Sequence, residues 1–216
     1  MSTLPVLNQA YIDKDMDKVH DLFPRAGINI LIAGIGMFAI IGVNLDNAVA
    51  IIKEGYEPIK YLALILMLGK LADMATGVNN ELLSISKYYK FNSRLSVLLL
   101  GSVIILDVIL IPKYGVYGAA WVNASTLTAY NVAKTIFLYK KFRIHPFTNK
   151  TWLVVVAGVV ATLAGYFWPY MVNPYIDGTV RALVTLIAYV LMLLWLKPSN
   201  DVTIFLDNMK KNKRLF

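Results

Sequence analysis

Apolar residues in this chain come in runs too long and unbroken for the alternation of a strand or the one-sided stripe of a soluble helix. A helix needs about 20 predominantly apolar residues to cross a bilayer core of about 30 Å. Six stretches approach that length, at residues 26–43, 59–83, 95–111, 116–139, 152–171 and 180–196. Short connectors separate several of them: "NLDN" at 44–47, "EGYEP" at 54–58, "IPKYG" at 111–115 and "NPYIDG" at 173–178. Their Gly, Pro and Asn residues suit turns. Gly and Ala are abundant in the first, fourth and fifth stretches, which lets helix backbones approach closely in a bundle. Tyr88, Tyr89, Phe91, Tyr114, Tyr117, Trp168 and Tyr170 gather near the ends of the runs, as an interfacial aromatic belt would. The pattern predicts an all-α integral membrane protein, a bundle of six transmembrane helices over residues 24–198.

The two flanks are patterned differently. Within residues 4–23, Ile12, Met16, Val19 and Phe23 follow helical spacing, and Asp13, Asp15, Asp17 and Lys18 fill other positions. This predicts an amphipathic helix over residues 1–23 lying at the cytoplasmic surface. At the other end, Val202, Phe205, Leu206 and Met209 form a shorter stripe ahead of "KKNKR". Residues 199–216 thus read as a basic cytoplasmic tail suited to anionic lipid headgroups.

Composition agrees with a membrane class. The chain of 216 residues is 58% hydrophobic and 16% charged, against about 45–50% and about 25% in soluble domains. Its mean hydropathy is +0.60. The net charge of +8, from 21 Lys+Arg and 13 Asp+Glu, would suggest nucleic acid in a soluble protein. Here the loops account for it. With both termini inside, fifteen basic residues fall in inner segments and four, Lys53, Lys60, Lys113 and Arg181, in outer ones. The positive-inside rule selects that orientation and leaves no excess charge for a nucleic-acid partner. The first 25 residues carry four acids and no apolar core, unlike a signal peptide. With no cysteine, disulfides and thiolate metal sites are excluded.

Within this apolar chain the second stretch is anomalous. "LALILMLGKLADMATGVNNELLS" at 62–84 places Lys70, Asp73, Asn80 and Glu81 where a lipid-facing helix should be hydrocarbon. An ionisable residue at the bilayer centre costs about 2.5–3.5 kcal/mol on insertion scales and normally faces protein or water. Helical spacing puts Lys70, Asp73, Gly77, Asn80 and Glu81 on one side, so this face should line a bundle interior or a wet cavity. Two readings stand: Lys70 and Asp73 neutralise each other at i, i+3 for packing alone, or they line a translocation path. The fourth stretch carries a second stripe, Asn123, Tyr130 and Lys134, with Asn131 adjoining. Lys134 is placed either to touch substrate or to snorkel towards the cytoplasmic surface. Asp107 and Arg181 read as rim residues near the outer surface, available to pair.

Enzyme chemistry finds no foothold. His20 and His145 are far apart, no His/Glu cluster has metal-ligand spacing, and no Walker A sequence would hold ATP. Ser84 and Ser86 have no neighbouring base for nucleophilic catalysis. No cofactor is expected, and any transport would be secondary.

Two motifs carry a family resemblance. "IPKYGVYGAAW" at 111–121 follows one apolar helix and opens another, and "LGKLADMATGVNNELLSISKYYKFN" at 68–92 precedes it. In that order they resemble bacterial polysaccharide biosynthesis membrane proteins, the lipid-linked oligosaccharide (O-antigen-type) flippases of the multidrug/oligosaccharidyl-lipid/polysaccharide exporter superfamily. The likeness covers about residues 5–145. It implies two helix bundles around a cationic cavity that opens alternately to each side, and an undecaprenyl-diphosphate-linked oligosaccharide as cargo. The chain resembles the C-terminal half alone, with residues 1–23 where the family's linker stands. The implied partners are the bilayer, the lipid-linked oligosaccharide, and either an N-terminal six-helix half or a second copy. The implied place is the bacterial inner membrane, and Lys70, Asp73, Asn80, Glu81, Asn123, Tyr130 and Lys134 become the expected substrate-binding set. A drug or small-molecule exporter of the same superfamily and a non-transporting scaffold of a polysaccharide assembly complex are the competing readings.

Overall fold

The computed structural model describes residues 3–52, 56, 58–199 and 201–204. Over the described residues the architecture is helical: α1 Thr3–Ile12, α2 Met16–Val43, α3 Leu45–Ile52, α4 Pro58–Ala75, α5 Asn79–Ile85, α6 Tyr89–Phe142, α7 Thr151–Tyr166 and α8 Pro174–Leu196. Three of these, α2, α6 and α8, are long and apolar enough to cross a membrane, and four spans result if the bent pair α4–α5 counts as one. The chain is therefore a helical protein of membrane-embedded character. It divides into two compact units, one of residues 1–31 and 61–147, the other of 32–60 and 148–216.

In the first unit, α6 doubles back on itself. Gly115 has φ 58° and ψ −141°, a conformation that only glycine reaches without strain. The two arms, 89–114 and 116–142, then run side by side. Ser96 Oγ lies 2.9 Å from Tyr130 Oη, and the rings of Phe91 and Phe137 stack at 3.8 Å. Thirty-four residues of straight helix would hold Ser96 and Tyr130 about 50 Å apart. A Cβ built on Gly118 would sit 2.6 Å from the Leu110 carbonyl oxygen, so this tight turn also needs its second glycine bare. The "IPKYG" connector expected from the sequence lies at this turn.

The second expected span, 59–83, is not one helix. It breaks between α4 and α5 with a bend of 50°, where Gly77 adopts φ +67°. The cause is packing: a Cβ on Gly77 would lie 2.8 Å from the Cα of Gly27, so α2 crosses the break backbone to backbone. Higher on α4, a Cβ on Gly69 would lie 2.7 Å from the Cα of Ala124, which presses α4 against the second arm of α6.

The N-terminal segment also departs from expectation. The amphipathic helix expected over residues 1–23 is two helices. Lys14 takes φ 61°, and the Asp15 carboxylate accepts from the Lys18 backbone N–H at 3.1 Å, capping a new helix start. From there α2 runs through Pro24 to Val43 without interruption. Val19 and Phe23 of the stripe are fully buried, against Leu7, Leu82, Leu83 and Leu138, because α1 and α5 cover the face that was assigned to lipid. Ile12 alone of the stripe is well exposed.

In the second unit, the expected turns "NLDN" and "NPYIDG" prove largely helical. After a turn at Asn44, α3 begins at Leu45. Asn173 accepts from the N–H groups of Tyr175 and Ile176 and caps α8, with Pro174 at its first position, a favoured helix start. The fifth expected span, 152–171, ends early, at Tyr166. Pro169 disfavours helix at the residue before it, and Arg181 takes the freed carbonyls of Gly165, Tyr166 and Trp168 at 2.9–3.1 Å. Small residues let the helices close: a Cβ on Gly36 would lie 2.8 Å from the Tyr189 ring, and Tyr189 donates to the Ile32 carbonyl at 2.8 Å. Within the basic tail expected at 199–216, residue 200 and residues 205–216, with Phe205, Leu206, Met209 and "KKNKR", lie outside the described residues, as does most of "EGYEP".

Candidate functional site

The bend between α4 and α5 and the second arm of α6 together line an open cavity of about 470 Å³ in the first unit. Its lining includes Lys70 and Asp73 from α4, Asn80 and Glu81 from α5, and Tyr130, Asn131 and Lys134 from α6, with Ile30 and Met74 as apolar wall. Six of the seven residues expected at a site are thus brought together. Asn123 is not among them. It is exposed, two turns before Tyr130, beside the level where Gly69 meets Ala124 and no room remains between the helices.

The polar contacts give each charge a different standing. Lys70 Nζ pairs with Asp73 Oδ2 at 2.6 Å, and the lysine side chain remains 65% exposed. The other Asp73 oxygen accepts from Asn131 Nδ2 at 2.9 Å, and Asn131 also donates to the Leu127 carbonyl at 3.0 Å. Asp73 is therefore fixed from two helices. The buried Asn131, which only adjoined the expected stripe, is the bridge.

Lys134 stands apart. It is only 3% exposed, and among the described residues no carboxylate lies within 4.0 Å of it. Its ammonium sits 4.0 Å from the centroid of the Tyr130 ring, a geometry worth about 2 kcal/mol or more when desolvated. Tyr130 in turn is held by Ser96 across the α6 hairpin. Burying an ammonium is costly unless it is compensated, and here the Tyr130 ring supplies the direct contact while the carboxylates of Asp73 and Glu81 line the same cavity. Snorkelling, the alternative left open by the sequence, does not describe a side chain this deeply covered.

Two further asparagines brace the wall from outside the lining. Asn92 on the first arm donates to Asn80 Oδ1 and Ser84 Oγ, both at 3.1 Å, and Asn79 donates to Thr135 at 2.7 Å. Asn92 and Ser96 were hidden in sequence within the basic-aromatic run "SKYYKFNSRLS", although their i, i+4 spacing is itself a stripe. Formally the cavity holds two ammonium and two carboxylate groups, Lys70 and Lys134 against Asp73 and Glu81. It is charge-balanced rather than cationic, which departs from the cationic cavity that the resemblance implies.

Of the two expected rim residues, Asp107 and Arg181, the arginine pairs within the second unit with Asp177. Arg181 Nε binds Asp177 Oδ2 at 2.6 Å with both side chains largely buried. Asp177 also accepts from Asn47 Nδ2 at 2.7 Å and from the Met171 N–H at 2.9 Å. All of these atoms tie α3, α8 and the end of α7 together, a structural role. Asp107, the other residue of that expected pairing, has a buried carboxylate oxygen with no hydrogen-bond partner.

No protein-family model, curated protein or solved structure matches the chain.

Proposed function

We propose that this chain is the membrane-embedded half of a transporter that moves an undecaprenyl-diphosphate-linked oligosaccharide across the bacterial inner membrane. The observation that carries the reading is Lys134: a buried ammonium without a carboxylate partner, facing a polar cavity inside an otherwise apolar helical unit. A diphosphate is the chemistry that such a group recognises, since the field of an ammonium is poorly screened in a low-dielectric surround. The cavity volume of about 470 Å³ is that of a small-molecule site. It suits a diphosphate headgroup, with the sugars beyond it. Six membrane segments follow if the two arms of α6 count separately, α4–α5 counts once, and α2, α7 and α8 each cross. Alternating access would then arise from rocking against a second bundle, with the exposed Lys70 exchanging its pairing to Asp73 for another anion between states.

In cells that depend on the complete protein, Lys134→Ala should abolish surface polysaccharide at unchanged protein level, and Lys70→Ala should reduce it. Normal polysaccharide in the Lys134 variant would overturn the assignment. The balanced charge of the cavity favours one second reading, an exporter of cationic small molecules. Loss of dye efflux with polysaccharide intact in an Asp73→Asn variant would select it.

A further inference from the structure

A second cavity, of about 530 Å³, opens in the first unit where α1, α5 and the second arm of α6 all end. Three lysines line it: Lys14 just past α1, Lys87 just past α5, and Lys141 in the last turn of α6. Tyr88 stands among them, with Lys87 Nζ 5.2 Å and Lys141 Nζ 5.9 Å from its ring centroid. The two ammonium groups are therefore at most about 11 Å apart. Among the described residues, no carboxylate lies within 4.0 Å of any of the three lysines. The acids of the α1–α2 turn stand outside the lining, Asp13 accepting from Gln9 and Asp15 capping α2.

Part of this charge answers the helix ends. Each helix C-terminus carries roughly −0.5 of an elementary charge, so three of them offset about half of three lysines. The lining itself carries three ammonium groups and no carboxylate, gathered beside a wall of hydrocarbon from Ile12, Met16, Ile85 and Phe142. Tyr88 and Phe142 pack edge to face at 5.6 Å, which fixes the boundary between the basic and apolar parts. Basic groups over one tyrosine with apolar wall beneath form a receptor for a molecule that is anionic at one end and hydrocarbon at the other.

We propose that this cleft binds an anionic phospholipid, its phosphate between Lys87, Lys141 and Lys14 and its acyl chains along Ile12, Met16, Ile85 and Phe142. The site is distinct from the cavity at Lys134, and its occupant is a lipid of the surrounding leaflet rather than cargo. The apolar wall decides for a lipid over a free phosphate ion, which would gain nothing from it.

The full chain, purified into nanodiscs of mixed phosphatidylglycerol and phosphatidylcholine and then released, would be examined for retained lipid by native mass spectrometry. The wild type should retain phosphatidylglycerol in preference, and the double substitution Lys87→Gln/Lys141→Gln should cut that preference by about fivefold or more, the weight of one lysine near a lipid surface. Lys90→Gln/Arg94→Gln removes the same charge from exposed positions outside the cleft and should leave the preference standing. Helicity by circular dichroism would check that both variants fold. Equal loss in the two double variants would show diffuse attraction only and overturn the site. No preference in the wild type, or its full displacement by millimolar inorganic phosphate, would overturn it as well.

Discussion

Two buried charged groups among the described residues occupy different kinds of place. Arg181 and Asp177 form a closed structural pair: every donor of the guanidinium that bonds, and both carboxylate oxygens, have partners within the second unit. Removing one member leaves the other buried and uncompensated, at a cost of about 3–5 kcal/mol. Arg181→Gln should therefore lower stability by that amount in reversible denaturation in detergent micelles. A change below about 0.5 kcal/mol would show the pair to be incidental. Lys134 is the contrary case, a buried ammonium with no carboxylate within 4.0 Å among the described residues, and the proposed function rests on that difference. Helical spacing put Lys70, Asp73, Asn80 and Glu81 on one face, which survives the bend at Gly77, whereas the second stripe of Asn123, Tyr130 and Lys134 joined them only through the family resemblance. It could not rank them, since burial and partners depend on which helix lies opposite.

At the scale of elements, glycine decides where helices stop. The sequence pattern shows that residues 59–83 are apolar and helical, but an isolated Gly is as compatible with a continuous helix as with a break. What breaks it is α2, whose Gly27 backbone occupies the place of a Cβ at residue 77. Gly77→Ala should destabilise the protein by more than the roughly 1–2 kcal/mol of left-handed strain alone. Gly42→Ala, on α2 with nothing within 4 Å, should instead stabilise it by about 0.5–1 kcal/mol. Thermal unfolding of both variants checks the contrast, and equal shifts would contradict the account of the break. The early end of α7 was beyond sequence reading for a similar reason: Pro169 was visible, but the guanidinium that receives the freed carbonyls comes from α8. The division at Asp15 was the more legible miss. An aspartate directly before Met16, where α2 begins, is an N-cap signal, and the regular apolar stripe running through it masked it.

For the whole molecule the main consequence lies in α6. Taken as one rod, Tyr89–Phe142 would extend about 80 Å, far beyond a bilayer core. Folded at Gly115, its two arms return to the same side. The chain has no cysteine, so single cysteines report position without background. Lys90→Cys and Lys140→Cys should react with an impermeant thiol reagent from one side of the membrane and Lys113→Cys from the other. Labelling of Lys90→Cys and Lys140→Cys from opposite sides would refute the hairpin.

The same approach reaches the central claim, that the cavity beside Lys134 is a wet binding site for an anionic headgroup. The thiolate is the nucleophile that attacks a thiol reagent, and it forms in water and not in hydrocarbon. Asn80→Cys lies in the cavity wall, whereas Val97→Cys stands on an exposed apolar face of α6. In membrane vesicles, Asn80→Cys should react quickly, Val97→Cys should not, and added undecaprenyl-diphosphate-linked oligosaccharide should slow the first reaction at least several-fold. Rapid labelling of Asn80→Cys that the lipid-linked oligosaccharide leaves unchanged, or no labelling at all, would contradict the account.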